Sequence, residues 1–187
     1  ENSASKYVQI IKTAAKQLKQ IVASLLSATK TWNDLLCDVN LNEVIKSELS
    51  LLDIDNSHDK SIELNLQLEN LPTIQGVPIH FHQIFGNLIS NAIASMRQSP
   101  KKILTIKTFS NKDQIEISVA DTGCGIPDSL KKKIFEPLFS TKKSDYSSEE
   151  GGGTGLGLSF CHSIINSYGG KISVNSVVDK GSSFEIH

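Results

Sequence analysis

Apolar residues near the start of the chain recur every three or four positions. The seam consists of Val8, Ile11, Ala15, Leu18, Val22, Leu25, Thr29, Trp32 and Leu36, with Thr29 as its one polar member. Five flanking positions, Tyr7, Ala14, Ile21, Ala28 and Leu35, are apolar as well. The stripe is therefore wider than a two-stranded coiled coil needs. We predict a long helix over residues 6–38 that joins a helical bundle or a dimer. The alternative is a single amphipathic helix lying on its own domain.

After a break at residues 38–40, shorter apolar patterns follow. Residues 41–53 have helical spacing, with Asn40 as N-cap and Glu43 three residues later. Residues 61–70 alternate strictly, which predicts a strand with one buried face formed by Ile62, Leu64, Leu66 and Leu68. The stretch 73–76 is predicted to be a short partner strand.

The second half of the chain alternates between helical and strand-like patterns. In chain order, the sequence predicts a helix over 78–98 with Pro78 as its first residue, a hairpin of residues 102–109 and 114–120, a short helix over 128–135, a mobile loop over 137–153, a helix over 155–170 and a final hairpin of residues 171–178 and 182–187. These elements predict an α/β (α+β) two-layer sandwich, with a mixed, mostly antiparallel sheet and helices on one face.

Composition limits the partners and the cellular compartment that we expect for this protein. The formal net charge of −1 over 187 residues gives no global basic field, so we expect neither nucleic acid nor a membrane surface as a partner. Cys37, Cys124 and Cys161 are scattered and odd in number, which fits a reducing compartment. No apolar run approaches the roughly 18–20 residues that cross a bilayer. We expect a cytoplasmic fragment of a longer protein, with a membrane anchor elsewhere in the parent left open.

Two asparagines on the helix over 78–98 are the first candidates for chemistry. Asn87 and Asn91 are four residues apart, so they share one helix face. An asparagine carbonyl is a suitable ligand for Mg²⁺, which takes one or two protein ligands beside phosphates. The alternative is two ordinary surface amides.

The stretch DTGCGIP at residues 121–127 follows a predicted strand. Asp121 at the strand end could accept a hydrogen bond from an exocyclic amine such as that of adenine. Gly123 and Gly125 would let the backbone approach a flat ring and adopt positive φ. The alternative is an ordinary aspartate–glycine turn.

A glycine-rich stretch, GGGTGLGLS at residues 151–159, leads into a predicted helix. Its free N–H groups and the positive end of the helix dipole suit phosphates. It lacks the Lys-Ser/Thr pair of a P-loop and has no βαβ context, and a flexible hinge is the alternative. Lys142 or Lys143 upstream could reach phosphate as a point charge, or could be simply solvated.

Taken together, these stretches resemble the catalytic domain of sensor histidine kinases. That domain belongs to the ATPase and kinase superfamily shared with gyrase, heat-shock chaperones and mismatch-repair ATPases. NLISNA resembles the N box, DTGCGIP the first glycine box, IFEPLFSTK the F box, GGTGLGLS the second glycine box and GSSF the final glycine box. The resemblance covers residues 39–187 and implies a Bergerat-type sandwich. Residues 1–38 resemble the second helix of the dimerisation bundle.

The resemblance implies a role for each box. Asn91 would ligate Mg²⁺ and Asn87 would lie near the phosphates, while Asp121 would bind the adenine amine. The base pocket would be shaped by Gly123, Gly125 and Ile126, with Ser182 of the final box also at the nucleotide. The phosphates would be held by Gly153, Thr154, Gly155, Leu156 and Gly157. Residues 137–153 would form the ATP lid, with Lys142 near the γ-phosphate. Ala94 stands where many relatives carry a basic residue, which makes the lid lysine more important.

Two features separate this chain from other members of the superfamily. Its ATP hydrolases carry a glutamate at the position of Asn87, and an asparagine cannot serve as the general base for water. None of the five histidines lies in the acceptor pattern of sensor kinases, including His58 and His162. We therefore expect transfer of the ATP γ-phosphoryl group to a histidine outside this chain.

The resemblance also implies partners. These are a phosphoacceptor histidine helix, a response-regulator receiver domain and a second copy bound through the N-terminal helix. Two alternatives remain: a non-catalytic nucleotide-binding module that recruits a partner kinase, and a water-directed ATPase.

Overall fold

A computed structural model describes residues 36–51, 62–111, 114–141 and 155–187 of the chain. The strands are β1 (Cys37–Val39), β2 (Ile62–Leu68), β3 (Ile74–Gly76), β4 (Lys102–Ser110), β5 (Ile115–Asp121), β6 (Ile172–Val177) and β7 (Gly181–Ile186). The helices are α1 (Leu41–Leu51), α2 (Pro78–Ser95) and α3 (Gly157–Ser167). The heptad seam from Val8 to Trp32 lies outside the described residues. The division into residues 1–38 and 39–187 stays a prediction.

A five-stranded mixed sheet forms one layer of the fold, in the order β2-β4-β5-β7-β6. Both predicted hairpins are confirmed, since β4 pairs antiparallel with β5 and β6 with β7. The inner strands β5 and β7 are also antiparallel, and only β2 runs parallel to its neighbour β4. The helices cover one face of the sheet, so the two-layer sandwich is confirmed.

Alternation along the strands decides which face is covered. Strand residues such as Leu104, Ile106 and Val119 are buried against Phe85 and Leu88 of α2 in one core. Burial of this kind stabilises by about 25 cal/mol for each Å² of apolar surface removed from water. The predicted buried face of β2 is only partly correct. Leu66 is 39% exposed because β2 is an edge strand.

The start of the described chain differs from the prediction. Residues Cys37–Val39, predicted to end or follow the long helix, form β1 and pair antiparallel with β3. The stretch around Ile74, predicted to be a short partner strand, pairs with β1 and does not pair with β2, whose partner is β4. Val39 of β1 is buried. A pairing between segments 37 residues apart leaves no local signal in either segment.

The predicted N-cap of α1 is confirmed. The Asn40 Oδ1 accepts hydrogen bonds from the backbone N–H groups of Asn42 at 3.1 Å and Glu43 at 3.3 Å. These contacts satisfy donors that the first helical turn leaves open, which stabilises a helix by about 1 kcal/mol. Pro78 is the first residue of α2, as predicted.

Residues 128–135 form two 3₁₀ turns, Asp128–Leu130 and Lys133–Phe135, where a single short helix was predicted. The ring of Phe135 lies 5.6 Å from His162 and 6.5 Å from Phe184, centroid to centroid. Glu136 is extended, as expected for a residue before proline. Tertiary packing and Pro137 therefore limit this segment to short turns.

A buried histidine predicts how stability depends on pH. The Tyr168 hydroxyl accepts a hydrogen bond from the Val77 N–H and contacts the His80 Nδ1, both at 2.9 Å. Burial lowers the pKa of His80 below 6.5. Below pH 6.5 the unfolded chain binds a proton that folded His80 resists. The free energy of unfolding should therefore decrease as the pH is lowered, by up to about 1.4 kcal/mol per pH unit. Urea unfolding from pH 7.5 to 5 measures this slope.

The control for this prediction is a second histidine. His80→Gln should flatten the slope relative to wild type, whereas His162→Gln, at an exposed position on α3, should leave it unchanged. Equal slopes for wild type and His80→Gln would contradict the prediction.

Candidate nucleotide site

The carboxylate of Asp121 is buried at the end of β5, with 8% of the residue exposed. Its Oδ1 accepts hydrogen bonds from the Ser95 Oγ at 2.8 Å and from the Gly123 N–H at 2.7 Å. The backbone N–H of Ser182 also donates to the carboxyl group. Burial raises the pKa of Asp121, and these three hydrogen bonds oppose that rise. A carboxylate offers roughly four acceptor sites, so this group keeps capacity for one further donor.

The turn after Asp121 brings bare backbone against its neighbours. A Cβ at Gly123 would lie 2.0 Å from the Ser95 Oγ, and a Cβ at Gly125 would lie 2.2 Å from the Val177 carbonyl oxygen. Positive φ was predicted for both glycines, but only Gly125 has it, at 70°. At Gly123 it is the close approach of Ser95 that requires glycine. Both glycines are therefore required by contacts within the protein.

The rest of the turn is held by the β6–β7 hairpin. The Ile126 N–H donates to the Ser176 Oγ at 2.7 Å, and the Asp179 N–H donates to the Cys124 carbonyl at 2.8 Å. Ser182, which was predicted to contact nucleotide, is buried beside this turn, opposite Asp121 in the β5–β7 register. Its Oγ lies 3.1 Å from the Ser176 Oγ. The first and the final glycine box of the sequence therefore lie next to each other in the fold.

At the other end of the site, Asn87 binds the start of α3. Asn87 is 6% exposed, and its Nδ2 donates to the Gly157 carbonyl at 3.3 Å and to the Cys161 Sγ at 3.8 Å. Burial raises the pKa of the Cys161 thiol to about 12, so this sulfur stays protonated. The first N–H groups of α3 are the part of the helix that suits an anion. Asn87 therefore lies against Gly157, the last glycine of the second glycine box.

The segment before α3 packs against the F box. Gly155 has φ 68°, and a Cβ there would lie 2.5 Å from the backbone carbon of Leu138, which itself has φ 65°. Leu156 follows with its side chain exposed. Leu138, near the start of the predicted lid, therefore contacts Gly155, which follows the lid's predicted end. Lys142, Gly153 and Thr154 lie outside the described residues, so their predicted roles are not tested.

Helix α2 connects the two ends of the site. Asn87, Asn91 and Ser95 follow one another at intervals of four residues, so they lie along one face. Asn91, the predicted magnesium ligand, is half-buried between the Asn87 end and the Ser95 end. The described part of the chain contains no cluster of three or more His, Cys, Asp and Glu residues that could hold a metal ion. A magnesium site here would rest on asparagine oxygen and on the phosphates of a ligand.

Sequence reasoning missed Ser95 and Thr122. The Thr122 Oγ accepts the Ile103 N–H at 2.9 Å and donates to the Lys101 carbonyl at 2.7 Å, which fixes the strand beside the turn. The four-residue spacing from Asn91 to Ser95 was a signal that could have placed Ser95 on the same face. Thr122 had no comparable signal, because its partners lie about twenty residues away.

No helix in the described part of the chain has the length and apolar character that a membrane span needs.

Comparison of the sequence with known proteins identifies its relatives. Residues 76–187 match the family described as histidine kinase-, DNA gyrase B- and HSP90-like ATPases. The sensor protein TdiS of Thauera aromatica is 37% identical over 153 residues, which are 78% of this chain and 26% of that protein. The sensor histidine kinase ZraS of Escherichia coli K12 is 33% identical over 184 residues, covering 98% of this chain and 37% of that protein. The chain thus spans well under half the length of these curated relatives.

Solved structures show the same fold. The nucleotide-free catalytic domain of histidine kinase ThkA has 29% identity and a TM-score of 0.67, covering 81% of this chain and 93% of that domain. A complex of ThkA with the response regulator TrrA aligns at 27% identity and a TM-score of 0.67, covering 99% of this chain and 51% of that chain. The chain therefore belongs to the histidine kinase-, DNA gyrase B- and HSP90-like ATPase family.

Proposed function

We propose that this domain binds ATP together with Mg²⁺ and transfers the γ-phosphoryl group to a histidine of another helix. Asp121 accepts the exocyclic amine of adenine, in the acceptor capacity left beside Ser95 and Gly123. The N-terminus of α3 and the left-handed Gly155 hold the phosphates. Asn91 ligates the metal, which when bound neutralises phosphate charge.

Other predicted residues complete the pocket in this proposal. Ile126, held through its backbone by Ser176, lines the base pocket beside Ser182. Lys142 lies near the γ-phosphate, and Gly153 and Thr154 continue the phosphate loop that ends at Leu156. These last three assignments rest on the family resemblance of the sequence.

The side chain of Asn87 is the observation that carries the proposed reaction. Its amide donates to the Gly157 carbonyl at the start of α3, so the residue braces the phosphate end of the site. An amide has no usable basicity at neutral pH and cannot activate water as a carboxylate would. Hydrolysis should therefore be slow. In the transfer reaction the bond from the γ-phosphorus to the bridging oxygen breaks, a phosphorus–nitrogen bond forms on the acceptor imidazole, and ADP and a proton leave.

The proposal includes partners outside the described residues. The acceptor histidine lies on a bundle helix, and a second copy of the chain joins through the helix predicted for residues 6–38. The ThkA–TrrA complex among the structural relatives supports a response-regulator receiver domain as the next partner. We place the domain in the cytoplasm, where ATP is available, whether or not the parent protein has a membrane anchor.

Transfer to a supplied acceptor tests this function. The chain is incubated with Mg²⁺, ATP labelled at the γ-phosphate and a two-helix bundle from a histidine kinase, and acid-labile label on the bundle is measured. We expect label on the bundle and none on a version in which the acceptor histidine is alanine. Nucleotide binding without transfer to any bundle would favour a non-catalytic recruiting module. Rapid release of inorganic phosphate without a bundle would favour a water-directed ATPase.

A further inference from the structure

Ser95 occupies an unusual position at the adenine end of the site. Its Oγ is 2.8 Å from the Asp121 Oδ1 and also 2.8 Å from the Ala92 carbonyl oxygen. Its own carbonyl accepts the Cys124 N–H at 3.2 Å. One residue of α2 therefore contacts both the carboxylate and the backbone of the turn that follows it.

We propose that Ser95 is a positioning residue that fixes the carboxylate of Asp121 for recognition of the adenine amine; this rests on the adenine contact proposed above. The Ser95 hydroxyl and the Gly123 N–H both donate to Oδ1. With these two donors on Oδ1, the carboxylate is held against rotation. The purine amine then meets an oxygen whose direction is already set.

The surroundings of Ser95 favour this role over an ordinary helical serine. A serine in a helix commonly donates to the carbonyl three residues earlier, and the bond to Ala92 is of that kind. The hydroxyl carries one proton and can also accept, so it can donate to ionised Asp121 or, when Asp121 is protonated, accept from it while donating to Ala92. The 2.0 Å distance from Ser95 Oγ to a Cβ at position 123 shows how tightly the turn closes over it.

Ser95 also links the two ends of the site. It lies one helical turn after Asn91, so the helix that carries the proposed metal ligand also orients the base-binding carboxylate. A shift of α2 would therefore move both contacts together. No charged side chain in the described part of the chain contributes to the pKa shift of Asp121, which comes from burial, Ser95, Gly123 and Ser182. Removing the Ser95 hydroxyl should raise that pKa further.

The test compares two ligands on the full 187-residue chain. ADP is titrated by calorimetry beside purine riboside 5′-diphosphate, which carries hydrogen in place of the exocyclic amine. For Ser95→Ala we expect ADP affinity at pH 8 to fall about five- to tenfold, because a positioning hydrogen bond is lost while the contact between the adenine amine and Asp121 remains, with little change for the amine-free analogue. As pH is lowered, the variant should lose ADP affinity at a higher pH than wild type.

The control is Ser167→Ala on α3. The Ser167 Oγ makes the same kind of bond, to the Ile164 carbonyl at 2.7 Å, but lies away from the site. Thermal unfolding confirms that each variant is folded, and Ser95→Thr, which keeps the hydroxyl, should recover discrimination between the two ligands if it folds. Equal losses for both ligands in Ser95→Ala, or none for either, would overturn the positioning role. If wild type does not bind ADP at all, the proposed function itself has failed.

Discussion

Asp121→Asn should lower the affinity for a non-hydrolysable ATP analogue by roughly 10- to 150-fold, the equivalent of a lost hydrogen bond to a charged acceptor. The Ser95 hydroxyl and the Gly123 N–H both need an oxygen on the side chain at 121. An asparagine that gives its oxygen to these donors turns its NH₂ group toward the adenine amine, so two donors face each other. Calorimetric titration with and without Mg²⁺ measures the loss.

The matched control for this change is Asp128→Asn. The Asp128 side chain is 94% exposed and pairs with Lys131, so losing its charge should leave nucleotide affinity unchanged. Far-UV circular dichroism and thermal unfolding establish that both variants are folded. Unchanged affinity in Asp121→Asn would contradict the assignment of the adenine pocket to this end of the sheet.

The Mg²⁺ arm of the same titration tests the other end of the site. If Asn91 ligates the metal, omission of Mg²⁺ should weaken binding of the triphosphate in wild type and in Asp121→Asn alike, because the two ends act on different parts of the nucleotide. An analogue that binds equally well with and without the metal would remove Mg²⁺ from the proposal while leaving the base pocket intact. No binding under either condition would contradict the proposed nucleotide site itself.

Local patterns predicted most elements of this fold because each pattern reports on burial within a single segment. The alternation in β4 and β5 separates one buried face from one exposed face, and Pro78 and Asn40 mark helix starts by their own backbone chemistry. The pairing of β1 with β3 was not predictable in this way. Hydrogen bonds between short segments that are far apart in the chain depend on where the surrounding layers place those segments. Cys37–Val39 is too short to show a hydrophobic period of its own.

The candidate site was predictable to the extent that its chemistry is concentrated in short stretches. Asp121 ends its strand and Gly125 has positive φ, as the DTGCGIP turn indicated, and Asn87 lies against the start of α3. The reason predicted for glycine at position 123 was wrong, since the neighbouring Ser95 side chain, and not positive φ, excludes a Cβ there. Ser95 was missed because a serine near a helix end is common, and only the folded position of Asp121 shows its partner.

Gly181→Ala should destabilise the domain by about 3 kcal/mol or more, measured as the free energy of unfolding in urea. Gly181 opens β7 with φ 116°, a conformation that other residues rarely adopt. A Cβ at this position would lie 1.9 Å from the Asp121 carbonyl oxygen and 3.0 Å from the Thr122 Cα. Both are backbone atoms at the end of β5 that carries Asp121, so neither can move aside as a flexible side chain would.

Gly169→Ala is the matched control because it separates backbone strain from collision. Gly169 follows α3 with φ 77°, and a Cβ there would meet nothing within 4 Å. Its substitution should therefore cost only the left-handed conformation, about 1 kcal/mol. Any Gly181→Ala protein that stays folded must shift the end of β5, so it should also bind the ATP analogue more weakly, whereas Gly169→Ala should bind it normally. Similar losses of stability in the two variants would show that strain alone, and not contact with Asp121, makes glycine necessary at position 181.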